Sequence, residues 1–191
     1  AFTGITVFHH NPQAYVNENS SLPEAGTWVD LEPLGTEGQY TDPALLAGSQ
    51  NEGIETYSNF QVAIPLGLGV RYRLNQVFDI SFEMSFRYLF TDYIDDVSKN
   101  YVDPAVLNSD LARELADRSG EATAAVSGDP RNFELINSFV QDTNGDGIYD
   151  GFGTEGEFNL RGNRGDNDMY FVTTFKVAYI LGATFRRAKF R

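Results

Sequence analysis

The chain has 191 residues, with 27 acidic side chains against 14 Lys and Arg and a net charge of −13. Such an acid excess excludes nucleic acid as a partner, because phosphate binding needs a basic surface. The absence of cysteine excludes disulfides, zinc thiolate sites and cysteine nucleophiles. No stretch approaches the roughly 20 apolar residues of a membrane-spanning helix. A mean hydropathy of −0.32 suits a soluble protein, and it equally suits an outer-membrane barrel, whose alternating strands average out. The chain begins at Ala1 without a methionine or signal peptide, which reads as a processed or incomplete chain.

The first candidate strand is FTGITVFHH, about residues 2–10, with Ile5 and Val7 facing outward and Gly4 and Thr6 inward. A long connection, about 11–56, follows; from His10 to Thr56 it carries eight acids and no Lys or Arg. The next strand, about 57–74, is large and apolar at every even position from Phe60 to Leu74. Its odd positions are Gln61, Ala63, Pro65, Gly67, Gly69, Arg71 and Arg73. A strand over about 77–91 repeats the pattern, with Phe78, Ile80, Phe82, Met84, Phe86, Tyr88 and Phe90 against Asp79, Ser81, Glu83, Ser85 and Arg87. This period of two belongs to strands and not to helices.

Between these two strands parity demands a three-residue turn. A two-residue turn would set an apolar residue opposite Asp79, whereas a three-residue turn places Arg73 or Arg71 there. A cross-strand ion pair on the polar face follows. In the narrow interior of a small barrel such pairs make a plug rather than a pore.

The second connection, about 92–168, has seventeen acids against six bases between Thr91 and Asp168. Asp103-Pro104 predicts a helix start, with Leu107, Leu111 and Leu115 on one face and Ser119-Gly120 as its end. A second helix is predicted from Asp129-Pro130 to Gln141, carrying Phe133, Ile136 and Phe139. DTNGDGIYD then has calcium-loop spacing: Asp142, Asn144 and Asp146 at positions one, three and five, the Ile148 carbonyl, and Asp150. Gly153 stands where an EF-hand needs a bidentate Glu. The same residues also suit a simple Asn-Gly/Asp-Gly turn with solvated acids. No cofactor is required by anything in the chain; Ca²⁺ is the one candidate.

The last strand, about 169–187, is apolar at Met169, Phe171, Phe175, Val177, Tyr179, Leu181 and Phe185, with Thr174, Lys176, Gly182 and Arg186 opposite. These runs far exceed the about 5–6 residues of an ordinary globular strand. A soluble sandwich would bury the apolar face. Tight connection at one end and long connections at the other is instead the asymmetry of outer-membrane barrels. The expected fold is therefore all-β: a transmembrane antiparallel β-barrel of about eight strands when complete. These four strands are its C-terminal part, residues 1–191 forming part of a single barrel domain with extracellular loops that contain short helices.

No catalytic residue is assigned. His9 and His10 lack a nearby Ser and acid facing lipid, as a lipid-modifying barrel enzyme would require. Asp95-Asp96 is an acid–base candidate only in the sense that any loop carboxylate pair is.

GLGVRYRL (67–74), FEMSFRYLFTDYIDDVSKNYVDP (82–104) and LADRSGE (115–121) resemble the Bacteroidota outer-membrane β-barrel family that includes the type IX secretion system protein PorG. VFHHNPQAY (7–15), WVDLEPLGTEGQ (28–39) and RGNRGDNDMYF (161–171) look like further parts of that family, whereas the calcium-like stretch is not part of its pattern. The resemblance implies a non-enzymatic barrel in the bacterial outer membrane. It would anchor or dock a periplasmic or outer-membrane assembly, the type IX secretion and gliding components. It also implies that Tyr93 joins an interfacial aromatic girdle and that Asp92, Asp95 and Asp96 fix the loop by local bonds. The basic end, Arg186, Arg187, Lys189 and Arg191, is then the candidate partner-binding surface; the same residues would also suit lipid headgroups. A surface-exposed binding barrel acting through its acidic loops is the alternative.

Overall fold

Alternation of large apolar with small or polar side chains sets the architecture, which is all-β and antiparallel with few helices. The computed structural model describes residues 1–132, 134–135, 159–163 and 165–181. Its strands include β1 (Phe2–Thr3), β2 (Thr6–His9), β3 (Gln13–Tyr15), β4 (Trp28–Asp30), β5 (Phe60–Arg73), β6 (Phe78–Leu89) and β7 (Met169–Tyr179), and its helices include α1 (Asp110–Ala116). Among the described residues no helix is long and apolar enough to cross a membrane. The chain divides into two compact units. One comprises Ala1–Phe8, Gln61–Phe90 and the segment from Asn167; the other comprises His9–Phe60 with Thr91–Asp166.

In the first unit the strand order is β1-β5-β6-β7, with β2 also paired to β5. The run predicted as one strand over 2–10 is broken after Thr3, where Gly4 weakens the ladder. Register gathers the apolar residues into cross-strand rows: Leu66–Phe86–Phe171, Val70–Phe82–Phe175 and Tyr72–Ile80–Val177. Among the described residues most of these side chains are left uncovered, and Leu68 and Val70 are 69% and 71% exposed. Ile5 and Val7 are exposed too.

The opposite face carries the charges. Leu74 N donates to Phe78 O at 3.0 Å. The intervening Asn75 folds the turn, its Oδ1 accepting from Val77 N and Phe78 N at 2.9 Å each. The turn therefore has three residues and sets Arg73 opposite Asp79. Arg71 and Arg73 both donate to Asp79, whose side chain is 2% exposed. Lys176, opposite Ser81, reaches diagonally to Glu83 at 2.7 Å. Arg87 donates to the Tyr170 hydroxyl at 3.2 Å and lies 5.6 Å from that ring's centre. Gly67 leaves room on this face for the Phe2 ring, with which a Cβ at that position would collide.

The second unit shows that the two segments predicted as loops fold with each other. Leu46 packs with Val102, Leu107, Ala112 and Ala116; Val16 and Leu31 pack with Leu115. The predicted continuous helix from Asp103 is two pieces. Asp103 caps a 3-10 turn at Pro104–Val106 through Ala105 N, and Leu107 is extended. Ser109 then caps α1 by accepting from Ala112 N at 3.0 Å. The break lets Leu107 enter one apolar cluster while Leu115 enters the other, which a single fourfold stripe would not allow. The helix predicted from Asp129-Pro130 also starts differently: Pro130 bridges to Thr123, and Asn132 accepts from Leu135 N as a cap. The rest of that helix lies outside the described residues.

Candidate functional site

Beside its apolar clusters the second unit buries a polar network. The chain turns at Asp96, a non-glycine residue with φ 69°, a conformation that Asp tolerates better than most side chains. The turn seals its carboxylate from solvent. Oδ1 accepts from the Tyr57 hydroxyl and Oδ2 from the Thr36 hydroxyl, each at 2.6 Å. Glu37 is equally sealed, and its Oε1 accepts from Ser98 N at 3.0 Å and from Lys99 N at 3.1 Å. One guanidinium serves both acids: Arg161 Nη1 lies 3.4 Å from Glu37 Oε1, and Nη2 lies 3.9 Å from Asp96 Oδ2. Nη1 also donates to the Asp96 carbonyl at 3.0 Å.

Asn51 ties in the backbone. Its amide donates to Glu37 O at 3.0 Å and Asn100 O at 2.8 Å, and its Oδ1 accepts from Asn100 N at 3.2 Å. Arg161 N and Gly162 N close the network on Lys99 O. Four stretches far apart in sequence, 36–37, 51–57, 96–100 and 161–162, thus share one set of bonds.

Among the described residues the ion pairs of both carboxylates are with Arg161, and burial dominates their titration. It pushes Glu37 and Asp96 above the ordinary carboxyl range, against the lowering effects of Arg161 and of their hydrogen-bond donors. Tyr57 is pushed up by burial and by its bond to Asp96. Tyr93 lies flat on Tyr57 at 4.7 Å with 10° between rings, and burial pushes its phenol up to about 12. Gly162 is required by close approach: a Cβ there would lie 2.7 Å from the Ser98 backbone. Gly162→Ala is expected to destabilise the unit by about 1–3 kcal/mol, measured as an earlier urea midpoint in Trp28 fluorescence.

His10 belongs to the same unit. Its ring nitrogens lie 3.1 Å from the Asn59 and Tyr93 carbonyl oxygens, and its ring stacks on Tyr57 at 6.0 Å. His9 meets the Phe60 ring edge-on at 4.9 Å. Asp95 and Asp96 do not form an acid–base pair facing a substrate: Asp95 is exposed and accepts from Val97 N, while Asp96 is sealed. The network's bonds hold four segments in register.

The calcium-spaced residues Asp142, Asn144, Asp146, Ile148 and Asp150 lie outside the described residues, as do Arg186, Arg187, Lys189 and Arg191. Among the described residues no cluster of three or more His or acidic side chains is arranged to hold a metal ion. Glu37 and Arg161 were not legible as a site in the sequence. A lone Glu in an acidic run reads as solvated, and only Gly35 and Gly38, both at positive φ, marked a tight turn around it. No family model, no curated protein and no solved structure matches the chain.

Proposed function

We propose that the protein is a non-enzymatic outer-membrane β-barrel that carries a folded unit outside the bilayer and docks a larger assembly. The observation that supports this best is the two-faced sheet. Rows of Leu, Val and Phe from three strands stand exposed on one face, while Arg71, Arg73 and Asp79, and Lys176 and Glu83, pair on the other. Water would penalise that apolar face and hydrocarbon would not. In lipid, the edges at β7 and at the N-terminal strands need backbone partners. The reading therefore requires further strands that close the sheet into a barrel of about eight. The described inward face carries Arg71, Arg73, Arg87 and Lys176 against Asp79 and Glu83, so the closing strands should bring acids.

Phe82→Trp in a Trp28→Phe background tests the facing. In vesicles of brominated phosphatidylcholine its fluorescence is expected to be strongly quenched, and that of Ser81→Trp is not. Equal quenching of the two, or none, refutes the assignment of the faces.

The resemblance to the PorG-containing family supports type IX secretion and gliding components as the docked assembly. Pull-down from detergent-solubilised outer membranes should recover them, and neutralising Arg186, Arg187, Lys189 and Arg191 should abolish the recovery. The alternative is a binding barrel that works through its acidic unit, and the shared core of that unit favours it. Because residues 11–56 and 92–166 pack on each other, both must be replaced by short turns to test it. Secretion that survives the replacement supports docking through the basic end. Secretion lost from an intact barrel supports display.

A further inference from the structure

The two-stranded sheet β3–β4 turns Ala14 and Val29 toward the Val16–Leu31–Leu115 cluster, which fixes its orientation. Register then puts two cross-strand pairs on its other face: Tyr15 opposite Trp28, and Gln13 opposite Asp30. Trp28 is 57% exposed, and the two aromatic rings sit 5.5 Å apart. Trp28 and Tyr15 thus present a paired aromatic surface beside the carboxylate two residues on, Asp30.

The carboxylate is held in place. Asp30 Oδ1 accepts from Gln13 Nε2 at 2.7 Å and from Asn11 Nδ2 at 2.8 Å. Those bonds hold its carboxyl below the ordinary range, so it is ionised. On the far side of the ring pair, Glu18 accepts from the Tyr15 hydroxyl at 3.2 Å. Successive same-face pairs on a strand lie about 7 Å apart. A cation stacked on Trp28 would therefore be within reach of Asp30. The segment around these residues, His10 to Thr56, has eight acids and no Lys or Arg. Among the described residues Arg118 touches the hairpin, where it donates to the Tyr15 carbonyl and is paired with Glu121.

We infer that the Tyr15–Trp28 face with Asp30 binds a cationic side chain, a guanidinium or ammonium group presented by a partner polypeptide. The aromatic faces supply the cation–π surface, for which tryptophan is the best donor, and a guanidinium in addition stacks flat. Asp30 supplies a charge-assisted acceptor at the rim. A neutral sugar would use the ring but would gain nothing from the charge. The inference does not depend on which face of the β5–β6–β7 sheet meets lipid.

Trp28 is the single tryptophan of the chain, so its emission reports on the site directly. The full protein is titrated with a tetrapeptide containing one arginine, with the same peptide carrying citrulline, and with cellotetraose. The arginine peptide is expected to give a saturable change in emission, and citrulline to weaken binding about fivefold or more. Asp30→Asn should weaken the arginine peptide by a similar factor while leaving the unliganded spectrum unchanged. If that variant alters the spectrum, Glu18→Gln gives the same test from the other side of the ring pair. A response equal for arginine and citrulline, one obtained only with cellotetraose, or none at all overturns the inference. So does an arginine affinity indifferent to both carboxylates.

Discussion

Arg161→Met is expected to destabilise the unit formed by His9–Phe60 and Thr91–Asp166 by about 3–5 kcal/mol at neutral pH. Arg161 is the cation that the sealed carboxylates of Glu37 and Asp96 both face. Removing it leaves two buried negative charges with only hydroxyl and amide donors to offset the loss of water. It also frees the Asp96 carbonyl, which now accepts from Nη1. Methionine preserves most of the stem volume, so the loss measured is chiefly electrostatic. Arg161→Lys should recover part of it, because the charge returns without the planar fork. Urea unfolding followed by Trp28 fluorescence gives the difference, and an unshifted midpoint in Arg161→Met would show that the network holds nothing together.

The same pair of acids sets a pH dependence. Burial raises both carboxyls above their unfolded values, so folding favours the protonated form. A group of this kind contributes stability that is fully present below its unfolded pKa, and the contribution is lost as pH rises through the folded value. The unit should therefore be more stable near pH 5 than near pH 7.5. Glu37→Gln, which cannot ionise, should flatten that slope relative to the parent chain. In Arg161→Met the slope should steepen, because the carboxyls then meet no cation and protonation relieves more strain. A parent chain whose midpoint rises from pH 5 to pH 7.5 by as much as Glu37→Gln would contradict this assignment.

How far the sequence discloses such features depends on whether they are periodic. Alternation placed β5, β6 and β7 on their strands, and parity required a three-residue turn with Arg73 or Arg71 opposite Asp79, of which the structure takes Arg73. Those inferences rest on near-neighbour geometry, where side-chain direction follows from position. Strand ends were less legible. Tyr57 continues the strand's aromatic pattern, yet it is taken by Asp96 of a remote turn. Apart from the fourfold spacing of Leu107, Leu111 and Leu115, the apolar residues of the second unit recur with no steady period, so the sequence shows two acidic loops. Leu46 meets Leu107, and Val16 and Leu31 meet Leu115, only in the fold. Asp96 and Glu37 look like any other acid of a charged run, and nothing within ten residues of Glu37 names Arg161 as its counter-charge. The Tyr15–Trp28 pair was missed for the same reason, since β3 and β4 are three residues each, too short for alternation to show.

Substitutions along β5 should sort by depth if hydrocarbon meets the apolar face. Leu68 lies mid-strand, opposite Met84 in the row that continues to Thr173. Leu68→Arg is expected to cost about 2–4 kcal/mol in phosphatidylcholine vesicles, whereas Tyr72→Arg, nearer the turn, should cost about 0–1. The arginine at position 72 can lift its guanidinium to the headgroups, and the one at 68 cannot do so without thinning the bilayer. Thr174→Arg, on the opposite face beside Glu83, adds a partner for a charge already there and should be nearly neutral. A dry protein core makes a different demand. It would punish Leu68→Arg and Tyr72→Arg alike, because no water lies at a fixed height above either. The gradient between positions 68 and 72, measured by guanidinium unfolding from vesicles, thus separates lipid from protein as the solvent of that face. Equal costs at the two positions would return the sheet to a soluble sandwich and remove the outer membrane from the reading.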